Sequence, residues 1–215
     1  MSARENILAR IRARQGKSPA PTRAEREAVR AHIRAHAGSA RPRMEWDPVA
    51  RFLERALGLA STVDEVAAID QVPAAVARYL EANALPYSAV CWTELAALDW
   101  SGAGIEITVR EARHADLVGV TGAFCAIAET GTLMTLSGRD TPAAVSLLPE
   151  THIAVVRKSR IVRGMEEAWR LMREEAGAPP RAVNFISGPS RTADIEQTVT
   201  LGAHGPYRVH IVLVG

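Results

Sequence analysis

The stretch AETGTLMTLSG, residues 128–138, places a single acidic residue between an apolar run and a glycine turn. Glu129 follows Ala126, Ile127 and Ala128 and precedes a Thr-Gly pair. A carboxylate in partly apolar surroundings is suited to acid–base or nucleophilic chemistry. The alternative is that Glu129 only fixes the turn, by accepting hydrogen bonds from the backbone N–H groups that follow it. On the first interpretation Glu129 is a candidate catalytic residue.

The segment NFISGPSRTADIEQ, residues 184–197, predicts a buried strand that runs through a glycine turn into a helix capped by Ser190. The free N–H groups and the positive end of such a helix attract phosphate or carboxylate, and an arginine adds bidentate contacts. The alternative is an ordinary capped turn, in which Arg191 pairs with Asp194. The candidate ligand-binding residues of this turn are Gly188, Ser190, Arg191, Thr192 and Asp194.

Histidines occur in two settings that could support chemistry. His204 lies between Gly202 and Gly205 in a loop before the last strand, where it is either a general base or a turn residue bonded to the backbone. His32 and His36 have the i, i+4 spacing of a metal pair, but the glutamate of an HExxH motif is missing between them. We therefore assign His204 as a second candidate catalytic residue and expect no metal site.

The elements that must position these residues follow from the hydrophobic pattern. Three helices are predicted first, with a capping box at Ser2 and Glu5, a helix that ends at Gly38, and an Asp47 cap followed by Pro48. From about residue 59, short β-branched runs alternate with helical patterns, which indicates an α/β fold with a mostly parallel sheet flanked by helices. Residues 115–138 are predicted as strand, turn and strand, and residues 151–162 as a strand pair. We divide the chain into a basic helical arm, residues 1–58, and an α/β domain, residues 59–215.

Composition and charge narrow the classes of function. The apolar fraction of 47% and the charged fraction of 23% are ordinary for a globular protein. No apolar run is long enough to cross a bilayer and no signal-peptide pattern opens the chain, so we expect no membrane association and a cytoplasmic location. Residues 1–43 hold 11 Arg and Lys against 3 Glu, a balance of +8, and the remaining 15 basic and 21 acidic residues leave −6. Without a set of aromatic residues for base stacking, this basic arm favours docking on an acidic protein surface over nucleic acid.

The two cysteines, Cys91 and Cys125, lie 34 positions apart inside apolar runs and are predicted to be reduced core thiols. An iron–sulfur cluster usually needs about four thiolates. If this protein takes part in iron–sulfur chemistry, another chain must carry the cluster, and we expect no cofactor in this one.

Three blocks together resemble the lactate utilization protein C family, which is built on the LUD domain. They are ILARIR at 7–12, ADLVGVTGAFCAIAETGTL at 115–133, and ISGPSRTADIE with GAHGP at 186–196 and 202–206. The resemblance implies an α/β domain similar to the ribose-5-phosphate isomerase and CoA-transferase fold (NagB/RpiA/CoA transferase-like), preceded by helices. It also implies a role in oxidising L-lactate to pyruvate alongside two iron–sulfur lactate utilization proteins.

The fold implied by the resemblance bears on the role of Glu129. CoA-transferases use a glutamate followed by Asn-Gly as nucleophile, whereas Glu129-Thr130-Gly131 has threonine in place of asparagine. The difference argues against covalent CoA chemistry and leaves Glu129 as a site residue, with Thr121, Thr130 and Gly131 as ligand-binding residues.

We expect a pocket for a small anionic ligand at the carboxyl ends of the parallel strands, where open α/β sheets bind ligands. Glu129, His204 and the turn at 188–192 would converge there. Two alternatives remain: a non-catalytic assembly or regulatory scaffold that docks through the basic arm, and a free-standing enzyme acting on a sugar phosphate or a CoA ester.

Overall fold

A computed structural model describes residues 2–38, 43–193 and 199–215 of the chain. The chain divides into two compact units, Met1–Arg43 and Met44–Gly215. The helix over residues 48–58, which the sequence analysis grouped with the arm, falls in the second unit, because its apolar side packs in that unit's core.

The first unit is a hairpin of two helices, α1 (Ala3–Arg14) and α2 (Arg23–Ala35). The predicted capping box at Ser2 and Glu5 is present, and α2 begins with a second one. Arg12 joins the helices, since its guanidinium donates to the carbonyl of Ser18 at 2.6 Å and to the carboxylate of Glu25 at 3.0 Å. All residues of α1 and α2 are described, and none of them is buried.

Over residues 44–193 and 199–215, the second unit has four α-helices and twelve strands. Its helices are α3 (Pro48–Gly58), α4 (Val72–Ala82), α5 (Ala144–Leu147) and α6 (Met165–Ala176). As the sequence predicted, α3 begins with an Asp47 cap and Pro48 in its first turn. The strands are β1 (Thr62–Val66), β2 (Ser88–Cys91), β3 (Glu106–Thr108), β4 (Val118–Gly122), β5 (Cys125–Ile127), β6 (Thr132–Leu136), β7 (Thr151–Arg157), β8 (Ile161–Val162), β9 (Val183–Ile186), β10 (Arg191–Thr192), β11 (Thr200–Leu201) and β12 (Arg208–Val214).

A six-stranded, all-parallel sheet forms the centre of this unit, in the order β1-β12-β7-β4-β2-β3. A second sheet, β8-β5-β6-β9, is mixed, and β10 and β11 form a two-stranded ribbon. The predicted fold class, a mostly parallel α/β sheet flanked by helices, is confirmed.

The core lies on both faces of the main sheet, which explains the continuous apolar runs of its strands. Alternate side chains such as Ile153 and Val155 face α4. Their neighbours Ala154 and Val156 face α3 and the inner side of the second sheet, while α6 covers the outer side of that sheet.

Residues 115–138 form three strands rather than the two that were predicted. The chain leaves the main sheet after Gly122, and β5 and β6 then pair in the second sheet. Periodicity alone predicts extended backbone here, but it does not show that the chain changes sheets.

Ser190 does not cap a helix as predicted, because Arg191 and Thr192 form a strand. The N–H of Ser190 donates to the carbonyl of Pro206 at 2.9 Å, and its carbonyl accepts from Gly202 at 3.0 Å. Arg191 and Thr192 then pair antiparallel with Leu201 and Thr200. Long-range strand pairing has overridden the local capping preference of serine. Asp194 lies outside the described residues.

Two histidines are buried in neighbouring strands of the main sheet. His152 in β7 is fully buried, and its Nε2 lies 2.7 Å from the hydroxyl of Thr121. His210 in β12 stacks on Tyr79 and contacts the hydroxyl of Thr62 at 2.9 Å. Burial lowers the pKa of both histidines to about 4.

The lowered pKa values predict a loss of stability in mild acid. The unfolded chain, with histidine pKa values near 6.5, takes up protons before the folded chain does. The free energy of unfolding should therefore be highest above pH 6.5 and fall as the pH approaches 4. Urea unfolding at several pH values measures this dependence, with His210→Gln as the comparison. An identical pH dependence in the variant and the wild type would contradict the role of His210.

Candidate functional site

The last turn of α3 gathers several of the residues that the sequence analysis selected. Gly131 has a φ of 67°, and a Cβ there would lie 2.6 Å from the backbone nitrogen of Ala56. Gly188 has a φ of 76°, and a Cβ there would collide with the carbonyl oxygen of Leu59. Arg191 donates to that same carbonyl at 2.8 Å. These three residues therefore pack and hydrogen-bond against the end of α3.

Thr130 belongs to a short chain of hydroxyl groups beside this contact. Its Oγ1 lies 2.7 Å from that of Thr132, which lies 2.7 Å from the Oγ of Ser187. The chain links the turn after β5 to the end of β9. Thr192, by contrast, lies in the β10–β11 ribbon.

Glu129 is partly buried at the beginning of α6. Its backbone N–H donates to the carbonyl of Arg163 at 2.9 Å, and its carboxylate lies against Gly164, the residue that caps α6. The positive end of a helix favours a carboxylate at such a place. The carboxylate thus lies beside the start of α6, and both the catalytic role of Glu129 and its role in fixing the turn that follows stay predictions.

His204 lies at the opposite edge of the main sheet from the one where we expected it. It is exposed, in the loop that precedes β12, and the adjoining Gly205 packs against Ser190. This loop lies at the amino edge of the sheet, where its parallel strands begin. The seven residues of β12 span about 20 Å from there to the carboxyl edge. Thr121 is fully buried, with its hydroxyl 2.7 Å from Nε2 of His152.

The carboxyl edge of the main sheet does contain a crevice, with a volume of about 460 Å³. It lies where β4 and β7 end, next to the turns that follow β1 and β2. The sequence analysis expected a pocket at this edge but named none of the residues that form it. Its lining residues are Ile69, Glu94, Leu95, Gly122, Ala123, Phe124, Val155, Arg157 and Arg160.

Glu94 supplies the acid of this crevice. Its carboxylate lies next to Gly122, where an added Cβ would displace it, and it accepts a hydrogen bond from the Gly122 backbone N–H. Although much of the residue is exposed, desolvation of the carboxylate raises its pKa, and the charge of Arg157 and the Gly122 hydrogen bond oppose the rise. A carboxylate with a raised pKa can take up or release a proton closer to neutral pH than an ordinary one.

The two arginines of the crevice differ in their availability. The guanidinium of Arg160 donates to the carbonyl of Phe124 at 2.8 Å and to both carboxylate oxygens of Glu175, at 2.6 and 3.0 Å. Arg157 is exposed, and within the described ranges its guanidinium has no hydrogen bond or ion pair. Arg157 is therefore the cation that can bind an anionic ligand here.

A positional signal could have found Arg157 in the sequence. It is the first charged residue after the apolar run Ile153–Val156. In a parallel sheet the end of such a run lies at the carboxyl edge, where ligands bind. Glu94 gives a weaker signal, because it lies three residues beyond the end of β2 and no charged residue marks that end more directly.

The described ranges contain neither a cluster of metal-binding side chains nor a membrane-spanning helix. In the described ranges no three His, Cys, Asp or Glu side chains are grouped so that they could hold a metal ion. No helix in the same ranges is long and apolar enough to span a membrane.

The close approach of Gly131 to α3 gives a test of its structural role. Gly131→Ala should destabilise the protein by about 3 kcal/mol, because the added Cβ combines left-handed strain with a collision against backbone. Gly104→Ala is the matched control, with a φ of 75° and nothing within 4 Å of the added Cβ. It should cost about 1 kcal/mol. Urea unfolding compares the two variants, and equal losses would show that the contact with α3 contributes nothing.

Comparisons with known proteins agree with the fold and the sequence motifs. Lactate utilization protein C of Bacillus subtilis (strain 168) is 38% identical over 119 residues, which cover 54% of this chain and 49% of that protein. The protein of the same name from Halalkalibacterium halodurans is 40% identical over 118 residues, which cover 54% of this chain and 51% of that protein. The chain thus spans about half the length of the curated relatives it matches.

A solved structure is similar as well. A DUF162 family protein from Deinococcus radiodurans matches with a TM-score of 0.58 and 27% identity, over 78% of this chain and 96% of that one. The family model described as LUD domain matches residues 57–214, from the end of α3 to the last strand. The resemblance found in the sequence is confirmed, and this chain belongs to the LUD domain family.

Proposed function

We propose that this chain acts in lactate utilization, as a component of a multi-protein system that oxidises L-lactate to pyruvate. The observation that carries this proposal is the 38–40% identity to proteins named lactate utilization protein C. In the proposed system, iron–sulfur clusters on two partner proteins accept the electrons, and this chain contributes a binding site for an anion.

The cysteines support placing the clusters on partner proteins. Cys91 and Cys125 are both buried free thiols, and burial raises the pKa of each to about 12. Iron is bound by thiolates, so a thiol that resists deprotonation in the core is a poor ligand.

The crevice supports a role in binding an anion. Arg157 offers an unpaired guanidinium, which forms strong charge-assisted hydrogen bonds to a carboxylate. The carboxylate of Glu94 accepts a hydrogen bond from the Gly122 backbone N–H in the same crevice. It can take up or release a proton beside the bound ligand. The oxidation of lactate releases two protons with its two electrons, so a residue that exchanges protons is of use there.

A second candidate function is that of a docking scaffold, which the helical hairpin favours. Ile7, Ile11 and Ile33 are 58%, 48% and 61% exposed on helices that carry most of the basic charge of the arm. Deleting residues 1–43 and measuring capture of the two iron–sulfur proteins tests this function. Retained capture would count against the hairpin as the docking element.

The anion-binding role predicts the growth phenotype of an Arg157 variant. In a strain that lacks the chromosomal copy, Arg157→Gln should abolish growth on L-lactate and leave growth on glucose unchanged. Arg170→Gln, which removes an exposed arginine of α6 that pairs with Glu174 at 3.8 Å, should grow like the wild type. Urea unfolding of both purified variants checks that neither has lost stability. Normal growth of Arg157→Gln on lactate would refute a role for the crevice in lactate utilization.

The same strain tests the catalytic assignment of Glu129. Loss of growth in Glu129→Gln, with unchanged stability, would support that assignment. Normal growth would leave Glu129 with a structural role only.

A further inference from the structure

The crevice is larger than lactate requires. Its volume of about 460 Å³ equals that of about 15 water molecules, at roughly 30 Å³ each. Lactate has only six non-hydrogen atoms. Sites for organic ligands of drug size have volumes of about 300–1,000 Å³, and this crevice falls in that range.

The lining of the crevice is also more apolar than a hydroxy acid needs. Five of its nine residues are apolar: Ile69, Leu95, Ala123, Phe124 and Val155. Phe124 is only partly buried, and one face of its ring is held under the guanidinium of Arg160, with the Cζ atom 4.8 Å from the ring centroid. This aromatic side chain is therefore fixed in place where a ligand can contact it.

Of the charged side chains that line the crevice, Arg157 is the one that can bind an anion. Arg160 is neutralised by its bidentate pair with Glu175, and Glu94 is occupied by the Gly122 amide. Arg157 follows Val155 by two residues in β7, so that the two side chains lie on the same face of the sheet. A ligand that binds the guanidinium can therefore extend along the apolar lining.

We propose that the crevice binds an organic carboxylate that carries an apolar body, with its carboxylate on Arg157 and its apolar body against Phe124, Leu95 and Ile69. The proposal rests on the proposed function for the crevice as an anion site and names the class of ligand. Lactate itself fills only part of this space and leaves most of the apolar lining in contact with water.

A series of monocarboxylates tests the proposal directly on the purified chain of residues 1–215. Isothermal titration with acetate, butyrate, hexanoate, 3-phenylpropionate and L-lactate compares ligands that share one charged group. From butyrate to hexanoate the affinity should rise about fourfold per methylene group, which is the value of burying each one. 3-Phenylpropionate should bind at least about tenfold more tightly than L-lactate. Equal affinities for L-lactate and hexanoate, or no binding of any member at millimolar concentration, would overturn the proposal.

Variants locate the binding in the crevice. Arg157→Gln should weaken every member of the series about tenfold or more, because it removes the charge that they all share. Arg170→Gln should leave all affinities unchanged. Phe124→Ala should weaken hexanoate and 3-phenylpropionate while leaving acetate as it was. Binding of hexanoate that does not respond to Arg157→Gln would place the ligand elsewhere, for example on the exposed apolar residues of the hairpin, and would refute the proposal.

The binding series and the growth test can refute the ligand class and the role in lactate utilization separately. If Arg157→Gln grows normally on lactate but loses hexanoate binding, the ligand class stands and the role of the crevice in lactate utilization falls. If Arg157→Gln loses growth on lactate while the wild-type chain binds hexanoate and L-lactate equally, the role of the crevice in lactate utilization stands. The proposal of a carboxylate with an apolar body is then refuted.

Discussion

The contact between the last turn of α3 and two glycine turns is the constraint on which the second unit depends. Gly131 and Gly188 belong to the second sheet, at the beginning of β6 and after β9, and both approach the backbone of α3 more closely than a side chain would allow. Arg191 adds a hydrogen bond to the carbonyl of Leu59, just after α3 ends. Since Phe52 and Ala56 of the same helix pack in the core between the two sheets, α3 holds the second sheet against the first.

This arrangement explains why several motif residues cluster at the end of α3. Gly131 and Gly188 are required by backbone conformation and close packing, and Arg191 by the end of a helix. Sequence motifs rich in glycine and arginine are often interpreted as anion sites, and the same residue types are also what close backbone packing requires. In the structure these three residues pack and hydrogen-bond at the end of α3, and their assignment to ligand binding stays a prediction.

The crevice exists because the chain passes twice from one sheet to the other at the carboxyl edge. Ala123 and Phe124 connect β4 to β5, and Lys158–Arg160 connect β7 to β8. Arg160 ties the two crossings together, since it donates to the carbonyl of Phe124 and pairs with Glu175 on α6. The walls of the crevice are therefore fixed by the fold, which leaves Arg157 and Glu94 as its chemically active groups. This organisation suits the proposed role in binding an anion.

The sequence by itself determined the local features of the fold. The caps of α1 and α3, the alternation of strands and helices, the parallel sheet and the burial of both cysteines follow from side-chain type and spacing over a few residues. The tertiary structure decided three other points: that Ser190 enters a ribbon instead of capping a helix, that His204 lies at the amino edge, and that Arg157 and Glu94 share a crevice. Each of these depends on strand order and on hydrogen bonds between segments far apart in the chain, such as Ser190 with Pro206. Local propensity does not depend on residues far away in the chain, so only the folded structure could show which residues are in contact.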